Sequence, residues 1–243
     1  MSLALAVEKL AAGWGDTKVL HEVSFTIPAG GSLALLGRNG VGKSTLLHAI
    51  MGSCRRLGGE IRLDGKTITS IPTQRRARRG LGFVPQEREI FRSLTVEENL
   101  AVASRPGRWS VERVFALFPS LAERRRNWGN RLSGGEQQML AIARALSGAP
   151  KVLLLDEPME GLAPIVVDAL YEALVRIREQ EKPTIVLVEQ KADLALAFAE
   201  EAIVLDRGVI IYRGRASALL HDEHAKAQLL GVAGAASDTP RDR

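Results

Sequence analysis

The sequence predicts an α/β fold, with a parallel-sheet core that carries an antiparallel β subdomain and is interrupted by an inserted α-helical subdomain. Three observations lead there. Short unbroken runs of β-branched residues and leucine, SLALLG at 32–37, VLLLD at 152–156 and TIVLVE at 184–189, read as strands buried on both faces of a parallel sheet. Helical spacing follows two of them, in Leu46, Leu47, Ile50 and Met51, and again in Val166, Leu170, Ala173 and Ile177. Between 87 and 147 helix starts take over: Thr95 with Glu98, and Ser133 with Glu136, each match a capping box.

In chain order, residues 3–27 read as antiparallel strand material, with β-favourable segments such as Val19 to Ile27 broken at Gly13, Gly15 and Pro28. The run at 32–37 meets a Gly-rich turn and then a helix, the opening of an α/β unit. Glu60 to Leu63 reads as a strand ending in an Asp64-Gly65 turn, and Gly82 to Pro85 as another short strand. From Lys151 the α/β rhythm returns, with a helix from Lys191 and a last strand at 202–206. The expected layout is one domain over 1–243: 1–86 and 148–232 form the α/β core with its antiparallel part, 87–147 the helical subdomain, and 233–243 a flexible tail.

Composition bounds the function classes. A chain of 243 residues, 46% hydrophobic and 25% charged, sits near soluble globular averages, which excludes long disorder, collagen and disulfide scaffolds. The single cysteine, Cys54, has no internal partner, and the start MSLALAVEKL has neither a basic leader nor a sustained apolar stretch, so the cytosol is expected. Charges or turns interrupt every apolar run before the roughly 20 residues a spanning helix needs, so any membrane role is peripheral. The net charge of +5 suits a polyanionic ligand and serves solubility equally well.

The chemistry lies in three motifs. GRNGVGKS, 37–44, fits G-x4-G-K-[ST]: Gly37, Gly40 and Gly42 let backbone N–H groups wrap a phosphate, Lys43 supplies a cation to the β and γ phosphates, and Ser44 can ligate magnesium. VLLLDEP, 152–158, delivers Asp156 to the carboxyl edge of the sheet, where it is suited to hold magnesium, while Glu157 is placed to orient the attacking water and accept its proton. LSGGEQQ, 132–138, combines Ser133 as N-cap, the bare backbone of Gly134 and Gly135, and Glu136 closing the box. Its helix N-terminus attracts an anion.

In this order and spacing the motifs resemble the nucleotide-binding subunit of an ATP-binding cassette (ABC) transporter, over about residues 5–232. The resemblance implies a P-loop NTPase (RecA-like) core that binds ATP and Mg2+ and hydrolyses ATP to drive transport. It implies a head-to-tail pair of ATPases, with this chain or a sister subunit as partner, in which Ser133, Gly134, Gly135 and Glu136 act on nucleotide held by the other P-loop through Gly37, Arg38, Asn39, Gly40, Gly42, Lys43, Ser44 and Thr45. Gln86 falls where the family carries the Q-loop glutamine that touches metal and attacking water, and Trp14 where an aromatic ring stacks on adenine. Their plain alternatives are a polar strand-end residue and ordinary packing.

Two positions depart from the family pattern. Gln190 replaces the switch histidine, so a neutral amide would meet the γ-phosphate, and Ala163 replaces the D-loop aspartate. Neither supplies the metal ligand or the base, so catalysis is expected to survive. With IFRSLTVEENL and DEPMEGLAP these departures resemble the ATPase of branched-chain (hydrophobic) amino acid importers. GRNGVGKS and VPQEREIF also resemble urea and short-chain amide importers, and a lipid or lipopolysaccharide exporter ATPase is a further reading. Implied partners are two transmembrane permease subunits and, indirectly, a periplasmic solute-binding protein, at the cytoplasmic face of the inner membrane.

Other features read as bland. Arg75, Arg76, Arg78 and Arg79, and later Arg124, Arg125 and Arg126, are expected on solvated helix faces; no stacking platform accompanies them, so nucleic acid is not an expected partner. His221 and His224 make a poor zinc pair. Packing is the default for Trp109 and Trp128, and Cys54 reads as an ordinary thiol.

Overall fold

The computed structural model describes residues 3–105 and 109–231. The tail expected over 233–243 lies outside the described residues. Strands β1 (Leu3–Trp14), β2 (Thr17–Pro28), β4 (Arg55–Leu63) and β5 (Lys66–Thr67) form an antiparallel sheet in the order β2-β1-β4-β5. Strands β3 (Ser32–Leu36), β6 (Leu81–Val84), β7 (Val152–Asp156), β8 (Thr184–Val188), β9 (Glu201–Asp206) and β10 (Val209–Arg215) form a second sheet in the order β10-β9-β3-β8-β7-β6. Its pairings are parallel except for β9 with β10.

Period-2 alternation explains why its central strands are apolar throughout. Leu33 and Leu35 of β3, Val152 and Leu154 of β7, and Val186 and Val188 of β8 face one core. Ala34 and Leu36, Leu153 and Leu155, and Ile185 and Leu187 face the other. In the first core, α1 (Lys43–Met51) lies between the two sheets, burying Leu46, Leu47 and Ile50 against Leu10, Leu20 and Ile61. Each such side chain contributes roughly 1.5–3 kcal/mol. The helix that starts at the phosphate-type loop is therefore held from both sides.

The second core takes the helices of the inserted stretch, α3 (Val96–Ala103), α4 (Val111–Leu117), α5 (Pro119–Glu123) and α6 (Gly134–Ser147), together with α7 (Pro164–Arg176) and α8 (Ala192–Phe198). Both capping boxes form, Thr95 with Glu98 and Ser133 with Glu136. Buried Asn99 accepts the Phe91 N–H and donates to the carbonyls of Phe91, Leu94 and Thr95, fixing the chain that enters α3. Beyond Asp206 the chain adds β10, α9 (Ala216–Leu220) and α10 (Glu223–Leu230), for which the sequence offered no clear signal. Edge strand β10 alternates exposed and half-buried residues and so shows no apolar run.

Two local expectations change. Gly13 does not break β1; it pairs with Lys18, and a Cβ there would meet the Thr17 carbonyl oxygen at 1.9 Å, so the glycine serves close approach of two strands. Arg76, on α2 (Thr73–Arg78), is not on a solvated face but buried, while Arg75, Arg78 and Arg79 are exposed. Its guanidinium donates to the carbonyls of Ala49 (3.0 Å), Ile50 (2.7 Å), Thr69 (2.7 Å) and Ile71 (2.7 Å). The reason is that α1 ends inside the protein, and its last carbonyls need a donor that can fork.

Arg76→Leu strips those carbonyls of their partner and should lower stability by roughly 2–4 kcal/mol. Urea unfolding checks this, and an unchanged midpoint would contradict the role given to Arg76.

Candidate functional site

Four parallel strands release their chains at one edge of the sheet: β3 into Gly37, β6 into Gln86, β7 into Glu157 and β8 into Gln190. In open α/β sheets this carboxyl edge is where ligands bind. After β3 the loop turns sharply. Gly37 has φ 143°, and a Cβ on it would lie 2.3 Å from the Leu205 carbonyl oxygen; Gly42, at φ 110°, caps α1 against Leu20 and Val19. Arg38, Asn39 and Gly40 are exposed along the loop.

Lys43 opens α1 and is buried, its ammonium donating to the carbonyls of Gly37 (2.9 Å) and Arg38 (3.1 Å) and lying 3.4 Å from Glu157 Oε1. Such a cation, ringed by a glycine loop and a helix start, can meet a polyphosphate. Thr45 is buried beside it and its hydroxyl accepts the Trp14 indole N–H at 3.2 Å. The Trp14 ring, 46% exposed, packs edge-on against His48 at 5.3 Å. It offers an aromatic surface next to the loop.

Asp156 ends β7 almost wholly buried, and burial pushes its carboxyl up to about 6, against the lowering effect of the Ser44 hydroxyl hydrogen-bonded to it. Its Oδ1 has no partner. A buried carboxylate oxygen without a donor, beside a serine hydroxyl at the start of the P-loop helix, fits a divalent cation, so Ser44 and Asp156 are suited to hold magnesium.

Glu157 follows with φ 46°, a left-handed conformation that costs a glutamate on the order of 1 kcal/mol or more. The turn it opens is closed by Glu160 N–H on the Glu157 carbonyl, at 3.1 Å. This bend aims the Glu157 carboxylate back at Lys43. Gln190 donates from Nε2 to Glu157 Oε2 at 2.6 Å and reaches Glu160 Oε1 at 3.5 Å. Gln86 Nε2 donates to Glu160 Oε2.

Together Asn39, Gly40, Gly42, Lys43, Ser44, Thr45, Gln86, Glu157 and Gln190 line a cavity of about 360 Å³. None of Ser133, Gly134, Gly135 or Glu136 lines it. Ser133 and Gly134 are exposed at the start of α6, whereas Gly135 is buried against Val166: a Cβ on Gly135 would lie 2.5 Å from that side chain. The Glu136 carboxylate is engaged by the Ser133 N–H and by Arg124. In one chain the glycine loop and the SGGE segment therefore do not share a cavity.

Sequence reasoning missed Glu160, which gathers both glutamine amides, and Glu189, buried just before Gln190. Both are carboxylates adjoining motif residues, and that adjacency was the available signal. Of the other singled-out residues, His221 and His224 are exposed, Trp109 is buried and Trp128 is 54% exposed, and no group of three or more His, Cys, Asp or Glu that could hold a metal occurs among the described residues. Cys54 is half-buried.

A glycine loop between strand and helix, with an acidic strand end beside it, defines a P-loop nucleoside triphosphatase. The family model described as ABC transporter matches residues 20–160, and the chain belongs to that family, as one of its ATP-hydrolysing subunits. It is 40% identical over 232 residues to the high-affinity branched-chain amino acid transport ATP-binding protein BraG of Pseudomonas aeruginosa, covering 93% of this chain and 99% of that protein. It is 36% identical over 234 residues to the lipopolysaccharide export system ATP-binding protein LptB of Escherichia coli K12, covering 93% and 97%. Among solved structures, cbiO1 of Clostridium perfringens, part of the ABC transporter complex cbiONQ, matches with a TM-score of 0.79 at 26% identity over 94% of each chain. Cassettes of this family work as dimers with membrane subunits, and among the described residues no helix is long and apolar enough to cross a membrane.

Because folding favours the acid form of Asp156, the folded protein holds more protons than the unfolded chain between pH 3.8 and about 6. Stability from this group is present at low pH and lost as pH rises through about 6. Without nucleotide or metal, Asp156→Asn should exceed the parent in stability at pH 7 by on the order of 3 kcal/mol, with the gap narrowing toward pH 4. Denaturant unfolding at both pH values checks this, and a pH-independent gap would count against it.

Proposed function

We propose that the chain powers uptake of branched-chain or related hydrophobic amino acids through a membrane permease, working as one of a pair of ATPases at the cytoplasmic face of the inner membrane. The observation that carries the paired motor is the separation of half-sites: Lys43 and Glu157 line one cavity, while Ser133 and Gly134 lie exposed elsewhere. A head-to-tail partner completes the site by bringing its SGGE helix start to the phosphates. The partner is a second copy or a sister subunit. Amino acid import is supported by the likeness to BraG and by a 35% identical relative from Archaeoglobus fulgidus, described as a probable branched-chain amino acid transport ATP-binding protein.

In this reading Gly37, Arg38, Asn39, Gly40 and Gly42 wrap the phosphates with backbone N–H groups, Lys43 exchanges its two carbonyl partners for β and γ oxygens, and Trp14 stacks on adenine. Ser44, Asp156 and Gln86 hold Mg2+, which when bound neutralises charge on the β and γ phosphates. Glu157 accepts a proton from the attacking water and Gln190 orients it, with no histidine titration at that position. The stretch 87–147 acts as the subdomain that grips the permease. Arg144 ties it to the Gln86 segment, donating to the Glu89 carbonyl at 2.7 Å and stacking its guanidinium over Phe91 at 4.8 Å. A periplasmic solute-binding protein delivers cargo to the permease without touching this chain.

Glu157→Gln should bind MgATP, accumulate a closed dimer by size-exclusion chromatography and lose at least about 100-fold in turnover; unchanged hydrolysis would remove Glu157 as base. Lys43→Ala should abolish nucleotide binding in equilibrium titration, and ordinary affinity would count against the loop assignment. Purifying the chain with its membrane subunits and identifying their cargo tests the transport reading. A hydrophobic amino acid supports it, and a lipopolysaccharide or a urea-like amide overturns it.

A further inference from the structure

Glu189 is a buried carboxylate without a part in the chemistry above. It directly follows β8 at 3% exposure, next to Gln190 on the segment after β8, while Glu157 stands on the loop after β7. Its Oε1 accepts the Met159 N–H at 3.0 Å, in the middle of the turn that Glu157 opens, and it also accepts the backbone N–H of Gln190. One carboxylate thus ties the left-handed turn after β7 to the segment after β8. The Glu157 N–H also donates to the Val188 carbonyl at 3.0 Å.

We propose that Glu189 is a positioning residue for ATP hydrolysis, holding the Glu157 turn and the Gln190 segment in mutual register so that base and amide meet at the attacking water. The proposal rests on the reading of Glu157 as base. Three features support it. Glu157 occupies a backbone conformation that a glutamate leaves readily unless its turn is held from outside, and the Met159 N–H is where Glu189 holds it. The 2.6 Å bond from Gln190 to Glu157 requires the two loops to keep their spacing. A carboxylate is also a costly group at this depth, since burial pushes its carboxyl up to about 7, and an apolar residue would pack there more cheaply. What the carboxylate adds is acceptance of two N–H groups from two loops.

Glu189 also lines a second cavity, of about 680 Å³, which shares Asn39 and Gln190 with the cavity at the glycine loop. The charged groups around it are Glu157 across the turn, Lys191 on its own segment, Arg38 from the loop, Asp193 of α8, and Glu223 and Lys226 of α10. Lys226 is paired with Asp193 and Glu223, each at 2.7 Å. The ionised form of Glu189 accepts both N–H groups, and a protonated carboxyl has one fewer acceptor. The register is therefore firmest above pH 7.

The test uses the full-length chain and three variants, with kcat, KM for ATP, nucleotide affinity by equilibrium titration, and thermal unfolding measured on each. Glu189→Met keeps the volume and removes the acceptors; kcat should fall about tenfold or more while KM and nucleotide affinity stay within about twofold. Glu189→Gln keeps one acceptor oxygen and should restore kcat to within about threefold of the parent. Equal kcat in Glu189→Met and the parent overturns the proposal, as does a loss of kcat matched by equal losses in nucleotide affinity and folded fraction. If Glu189→Met does not fold, the pH profile of Glu189→Gln decides. The parent's kcat should fall by up to about threefold, to the level of the glutamine variant, as pH falls below about 7, and the glutamine variant should lack that limb, whereas superimposable profiles overturn the proposal. Glu157→Gln separates the two readings: retained turnover there removes the base itself, while lost turnover there with an unaffected Glu189→Met removes only the positioning role.

Discussion

Charge gathered at the buried edge of a parallel sheet governs this structure. Lys43, Asp156, Glu157 and Glu189 all stand at 2–8% exposure where β3, β7 and β8 end. Three carboxylates with one ammonium are an unbalanced set in a poorly solvated place, and the fold answers each differently. Glu157 leans on Lys43 and on the Gln190 amide. Asp156 and Glu189 hold their protons to higher pH, to about 6 and about 7. Asp156 keeps one oxygen without any donor. In the reading proposed above, a polyphosphate would meet Lys43 and the loop N–H groups, and its counter-cation would meet Asp156.

The same edge is tied by hydrogen bonds to the helical stretch. Between Gln86 and Phe91 the chain bends through two consecutive left-handed residues, Arg88 at φ 66° and Glu89 at φ 47°. Gln86 is bonded to Glu160 in the turn beyond Glu157, while the Glu89 carbonyl and the Phe91 ring are held by Arg144 of α6. Asn99 of α3 fixes the Phe91 backbone from the other side. Six residues therefore join the turn after β7 to two helices of the stretch 87–147. A change in what Gln86 and Glu160 bind is mechanically connected to the position of α6, whose N-terminus carries the SGGE segment.

Much of this was legible because it depends on local rules. Strands buried on both faces announce themselves as unbroken apolar runs, and β3, β7 and β8 do so because each turns one face into each of the two cores. The two capping boxes are three-residue patterns whose geometry is the same in any helix start. Illegible were features made by distant neighbours. Arg76 looked like one of four surface arginines, and only the burial of the end of α1 makes it a carbonyl-satisfying fork. Gly13 resembled a strand break until β2 folds back within 1.9 Å of where its Cβ would stand. The edge strand β10 has no buried face and so carries no periodic signal strong enough to read.

The sequence by itself determined the loop that suits a phosphate, the acidic strand end, the helix start of the SGGE segment and the α/β order that contains them, because each is specified by residue type over fewer than ten positions. The tertiary structure decided which of them share a cavity. Lys43, Ser44, Gln86, Glu157 and Gln190 come from four different strand ends, and parallel register alone sets their spacing. It decided as well that Ser133 and Gly134 stand away from that cavity, that Glu160 lines it, and that Glu189 is buried next to Gln190. Such facts depend on the sum of packing over two cores, which no short stretch of chain encodes.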